Sequence, residues 1–188
     1  MRIIVGISGA SGVILGYSLL RTLHEIPEVE VHLVVTESGI RTFRDETNLT
    51  MEDVYQLADY VYDNSNIGAT ISSGSFRTDG MIVIPCSMKT ASAAAHAYNE
   101  TLLVRAMDGC IKENRRVVIV PREMPLNKIH LHNLELMADA GYTIIPPMLT
   151  FYNRADTVEK QINHIVGKVL SQFGIYPESF VPWQGSEM

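Results

Sequence analysis

The chain has 188 residues, 46% of them hydrophobic and only 19% charged, which is enough apolar content for one substantial core and excludes an intrinsically disordered chain. A net charge of −6 leaves no basic field to hold nucleic acid. Cys86 and Cys110 are too few for a disulfide framework and lack the paired spacing of a zinc site, which suits a reduced, cytoplasmic setting.

In chain order, Arg2 to Ile7 is a β-branched run that reads as a first strand, Ser8 to Gly12 as a tight turn, and Val13 to Leu23 as a helix. The apolar start is broken by Ser8, Gly9, Ser11 and Gly12, with no basic leader or cleavage site, so a soluble protein is expected rather than a signal peptide. Val29 to Thr36 is too apolar for an edge open to water on both faces and reads as a buried parallel strand. Thr50 and Asp53 have the spacing to cap a helix over Met51 to Ala58. The polar stretch Asp63 to Gly80 is long for a plain connection. Met81 to Pro85, Val117 to Pro121 and Tyr142 to Ile145 read as further strands, separated by helical patterns that include Thr101 to Asn114. A last helix spans about Thr157 to Phe173, with Asp156 and Glu159 as a capping box, Gly174 as its stop, and Val158, Ile162, Ile165, Val166, Val169 and Phe173 as its buried stripe. The alternation predicts one α/β domain, a Rossmann-like (flavodoxin-like) doubly wound parallel sheet, with a tail at about 175–188 that covers a site or hangs loose.

Chemistry gathers where strands end. Ser8-Gly9-Ala10-Ser11-Gly12 offers backbone N–H groups and a helix N-terminus to a phosphate or a cofactor edge, or else is a turn that only lets the helix pack. It lacks the G-x-G-x-x-G spacing, and no acidic residue closes the second strand at Thr36, which disfavours a nicotinamide dinucleotide. Pro85-Cys86-Ser87-Met88-Lys89-Thr90 sets hydroxyls and free N–H groups at the carboxyl edge of the third predicted strand. Cys86 has no nearby histidine and reads as core filler, not a nucleophile. Arg105 and Lys112, seven apart, share a helix face, either solvated or functional. Arg122 and Glu123 end a strand with a fork donor for phosphate beside a carboxylate able to handle a proton, or as a surface ion pair. His130 and His132 lie on different helix faces, no carboxylate–histidine set has ligand spacing, and no metal is expected. Trp183 is either a loose end or an aromatic lid.

The strings GISGASG, SSGSFRTDGMIVIPCSMKT, LLVRAMDGCIKE, VPREMPLNKIHLHN, PPMLTFYN and GKVLSQFG, in order from the first strand almost to the C-terminus, closely resemble the flavin prenyltransferases of the UbiX and Pad type. The resemblance implies transfer of a dimethylallyl group from dimethylallyl monophosphate to N5 and C6 of reduced FMN, without a metal, giving prenylated FMN for a partner aromatic acid decarboxylase. By the same likeness Gly9, Ala10, Ser11, Thr36, Ser87, Met88, Lys89, Thr90 and Arg105 hold FMN. Tyr152 and Lys168 hold the isoprenyl phosphate, with Lys112, Arg122 and Glu123 completing its pocket. Ser11 and Glu46 are the candidates near flavin N5, Glu123 the proton carrier, and Trp183 an aromatic face for the allyl cation. Locally Glu46 is an ordinary charged residue in DETN. Lys168 stands where many relatives have arginine. The family's dodecamer, with sites at subunit contacts, implies a homo-oligomer. Two other readings keep the fold: a flavin-dependent cysteine decarboxylase, against which PCSMKT, PRE-x-PL and TFYN argue, and a non-catalytic flavin-carrier subunit of a hydroxyarylic acid decarboxylase.

Overall fold

A computed structural model describes residues 1–183 and 185 and divides into two compact units, Met1–Pro146 and a second beginning at Pro147. In the first unit the chain alternates β1 (Arg2–Ile7), α1 (Val13–His24), β2 (Glu30–Val35), α2 (Glu37–Glu46), α3 (Met51–Tyr55), β3 (Tyr60–Asp63), β4 (Gly80–Cys86), α4 (Met88–Ala95), α5 (Leu102–Lys112), β5 (Arg116–Pro121), α6 (Lys128–Asp139) and β6 (Thr143–Ile144). The six strands form one sheet in the order β3-β2-β1-β4-β5-β6, every neighbouring pair parallel. This is the Rossmann order, in which the chain turns back between β1 and β4 and opens a crevice at their carboxyl ends.

The four central strands are buried over nearly their whole length, as runs such as Ile3-Ile4-Val5 and Met81-Ile82-Val83-Ile84 demand when helices cover both faces. Thr50 and Asp53 do form a capping box, but α3 ends at Tyr55, short of Ala58. Within Tyr142 to Ile145 the ladder itself spans only Thr143–Ile144, extended by the Ile145 N–H on Ile119 O at 2.9 Å.

Two elements escape the hydrophobic pattern. α2 is polar, with only Gly39 and Phe43 buried, and stands because Thr36 caps it: Thr36 Oγ1 accepts from Gly39 N at 3.0 Å. β3 is a half-open edge strand whose Tyr60 and Val61 stay exposed, so it shows no buried alternation.

In the second unit α7 runs Val158–Leu170 and tightens into a 3-10 turn, Ser171–Phe173, before Gly174 turns left-handed at φ 75°. Its cap is Thr157, not Asp156: Thr157 Oγ1 accepts from Lys160 N at 3.2 Å, while the Asp156 carboxylate takes the Lys160 ammonium at 2.6 Å. α7 begins at Val158, so Thr157 with its extended backbone holds the N-cap position, and Asp156, one residue before it, pairs with the cation instead. Ile165, Val166, Val169 and Phe173 are buried as the stripe requires, whereas Val158, on the first turn, is 77% exposed. No helix among the described residues is long and apolar enough to cross a membrane.

Candidate active site

Three strand-to-helix turns meet at the carboxyl edge of the sheet. Ser8, fully buried after β1, donates from Oγ to Pro85 O at 3.0 Å and accepts there from Ser87 N at 2.8 Å, so one hydroxyl fastens the β1–α1 turn to the β4–α4 turn. The Thr36 N–H donates to Ile7 O at 2.9 Å and brings the β2–α2 turn alongside. Gly9 is obligatory at that meeting: a Cβ there would stand 2.3 Å from Ser38 Cβ and 2.9 Å from Ser38 carbonyl carbon. Gly12, at φ 97°, caps α1 in the left-handed region and offers no side chain to its amides.

The Gly12 N–H instead donates to Glu46 Oε2 at 2.8 Å. Glu46 ends α2, so the carboxylate that looks like plain surface in DETN folds back onto the glycine turn, next to Ser11.

The three turns bound a cavity of about 670 Å³, within the usual range for small-molecule sites. Gly9, Thr36, Ser87, Lys89 and Thr90 line it, five of the nine residues expected to hold flavin. Ala93, Leu103 and Val104 give it an apolar wall, while hydroxyls, turn amides and the Lys89 ammonium give it a polar one. That division fits a flat aromatic ring carrying a phosphate on a polar chain. Ser87 also caps α4, its Oγ accepting from Thr90 N at 3.3 Å and donating to Thr90 Oγ1 at 3.1 Å. Asn64 is a lining residue that the sequence reading missed: its Oδ1 accepts from Leu103 N at 3.0 Å and its carbonyl from Leu102 N at 2.9 Å, pinning the start of α5. Its only sequence signal is its place in the long polar connection after Asp63. A second cavity of about 710 Å³ adjoins through Glu37, Asn64, Lys89, Glu100 and Thr101.

The remaining expected residues scatter. Ala10 and Ser11 belong to the turn without lining the cavity, and the Met88 side chain packs against the apolar core. Arg105 does not line the cavity; its guanidinium lies 3.1 Å from Asp108 Oδ2, which also accepts from Asn99 at 2.9 Å. Lys112 is the last residue of α5, paired with Glu113 at 2.9 Å beside Gly74, four residues before β5 begins. It therefore lies at the amino edge of the sheet, and one chain does not bring it together with Lys89 and Ser87. Arg122 and Glu123 are exposed just past β5; Arg122 N donates to Cys86 O at 3.1 Å, and the Glu123 carboxylate accepts from Met124 N at 3.0 Å. Burial pushes the Cys86 thiol up to about 12, which removes it as a nucleophile.

In the second unit four rings touch in sequence. Tyr152 meets Trp183 edge to face at 5.4 Å, His164 faces Tyr152 at 5.5 Å, and Phe180 lies 5.3 Å beyond His164. Lys168 is exposed one helical turn after His164.

The Flavoprotein family profile matches residues 1–174. A probable UbiX-like flavin prenyltransferase of Sedimentibacter hydroxybenzoicus is 59% identical over 187 residues, covering 100% of this chain and 99% of the relative. The chain belongs to the UbiX-like flavin prenyltransferases. Two solved structures share the fold of this flavoprotein. The dodecameric FMN-dependent UbiX-like decarboxylase from Escherichia coli O157:H7 matches with a TM-score of 0.96 at 48% identity, over 98% of this chain and 100% of that one. AnUbiX (PadA1), in complex with FMN and dimethylallyl pyrophosphate, matches with a TM-score of 0.96 at 42% identity, over 99% and 98%. The enzyme is thus a flavin prenyltransferase with the Rossmann-like sheet of its relatives.

Proposed function

We propose that this enzyme joins the dimethylallyl group of dimethylallyl monophosphate to N5 and C6 of reduced FMN, releases phosphate, and passes prenylated FMN to a partner aromatic acid decarboxylase. The observation that carries the reading is the cavity at the β1/β4 switch, where Ser8 locks two ligand-facing turns together and Glu46 is held on the glycine turn. Bound there, reduced FMN supplies the two nucleophilic centres. Gly9, Ala10, Ser11, Thr36 and Ser87 to Thr90 hold it through turn amides, hydroxyls and the Lys89 charge. Ser11 and Glu46 stand at its N5 side, where the carboxylate receives a proton. Arg122, Tyr152 and Lys168 bind the donor phosphate, which gathers negative charge as the allylic C–O bond breaks. The Trp183 face steadies the cationic fragment, and Glu123 takes the proton lost from C6. Arg105, whose guanidinium also meets Asp108, is the remaining residue assigned to FMN. Lys112 joins the phosphate only from a second copy of the chain, which agrees with a dodecamer whose sites lie at subunit contacts. The enzyme works in the cytoplasm.

The test is anaerobic incubation with reduced FMN and dimethylallyl monophosphate, followed by mass spectrometry of the extracted flavin. The expected product is a flavin heavier by one five-carbon unit. Lys112→Ala, Arg122→Ala, Glu123→Gln and Glu46→Gln are expected to keep FMN while losing roughly 10²- to 10⁴-fold in turnover. Modification by the diphosphate alone would change the donor. Unmodified flavin with both donors, or full turnover in all four variants, would overturn the reading in favour of a flavin carrier.

A further inference from the structure

His164 is a buried polar residue of the second unit to which the proposed reaction gives no task. It is 4% exposed on α7, its Nε2 lies 3.2 Å from the Tyr152 hydroxyl, and its Nδ1 is buried with no hydrogen-bond partner among the described residues. Burial, reinforced by the Lys168 ammonium one turn along, holds the imidazole below the ordinary histidine range and keeps it neutral. A neutral imidazole carries one N–H, and an orphaned buried N–H costs more than an orphaned lone pair. The proton therefore sits on Nε2, where it has an acceptor, and Nδ1 is the bare nitrogen. The Tyr152 oxygen, receiving that N–H, must direct its own O–H elsewhere. Tyr152 is 47% exposed, so the open side is available.

We propose that His164 is a positioning residue for the donor phosphate: its Nε2–H fixes the Tyr152 phenol as a hydrogen-bond donor toward a phosphate oxygen. The inference rests on the reading that Tyr152 and Lys168 hold that phosphate. It also gives Lys168 a complement. A lysine brings charge without the directed second N–H of an arginine fork, and a phenol held in one orientation supplies the missing directed bond.

The test is a double-mutant cycle on the full-length enzyme, read by steady-state prenyl transfer. His164→Phe keeps a ring between Tyr152 and Phe180 but removes the N–H. It is expected to raise KM for dimethylallyl monophosphate by roughly 3- to 10-fold, leave KM for reduced FMN unchanged, and leave the melting temperature unchanged or higher. His164→Gln, which keeps a donor, is expected to recover part of the loss. In a Tyr152→Phe background His164→Phe should add nothing, because the group it orients is gone. Should the phenylalanine variant not fold, His164→Leu takes its place in the cycle. An unchanged KM in His164→Phe, or a loss that persists in the Tyr152→Phe background, would overturn the proposal while leaving the function intact. An unchanged KM in Tyr152→Phe itself would overturn the phosphate assignment and this inference together.

Discussion

Glu30 shows how a single side chain couples two strands of the sheet. Its carboxylate accepts from Arg2 and from the buried His32 ring at 2.6 Å, while Tyr62 meets the other imidazole nitrogen at 2.8 Å. The hydrogen bond from Arg2, followed by that from His32, lowers the Glu30 carboxyl from 4.5 to about 2. A folded-state value below the unfolded one means that the ionised form is preferred in the native protein. The stabilisation is then fully present above about 4.5 and disappears as pH falls toward 2. Because the side chain is 36% exposed, solvent screening keeps the effect small. Urea titrations should show the denaturation midpoint of Glu30→Gln below that of the native protein at pH 7, with the two converging by pH 2. A gap unchanged across that window would assign the loss to packing. Glu46 makes the complementary point about legibility. Nothing in DETN announces a partner 34 residues away, and only the fold, by returning α2 to the first turn, turns a surface carboxylate into a site residue. Arg105 is visible in the sequence by its spacing to Lys112, and the fold adds its contact with Asp108, three residues on.

At the scale of elements, apolar runs and helices with a buried stripe, such as α1, α5 and α7, are legible in the sequence, and polar or exposed elements are not. β1, β4 and β5 follow from uninterrupted Ile and Val because two layers of helix bury them. β3 and α2 depend on what they lean against: Tyr60 and Val61 remain exposed at the sheet edge, and α2 buries only Gly39 and Phe43. Yet α2 is the element that closes the cavity, since Ser38 abuts Gly9. Gly9→Ala should therefore push α2 off the turn, destabilise the fold by about 1–3 kcal/mol, and weaken flavin binding as read by fluorescence titration. Unaltered affinity and melting would mean that the contact with Ser38 relaxes freely.

For the whole molecule, the doubly wound sheet puts both thiols out of reach. Cys86 and Cys110 are buried, and burial raises both above the ordinary thiol range. A disulfide reagent such as DTNB should detect no thiol in the native enzyme and two after unfolding in guanidinium; rapid native labelling would contradict this. Loss of activity in air would then point to oxidation of the reduced flavin and not of the protein's own sulfur. The chain also contains a single tryptophan. Because Trp183 rests edge to face on Tyr152, all indole emission from the 188-residue chain arises beside one phenol, so intrinsic fluorescence is a built-in optical gauge of events at that ring, free of background from any other indole.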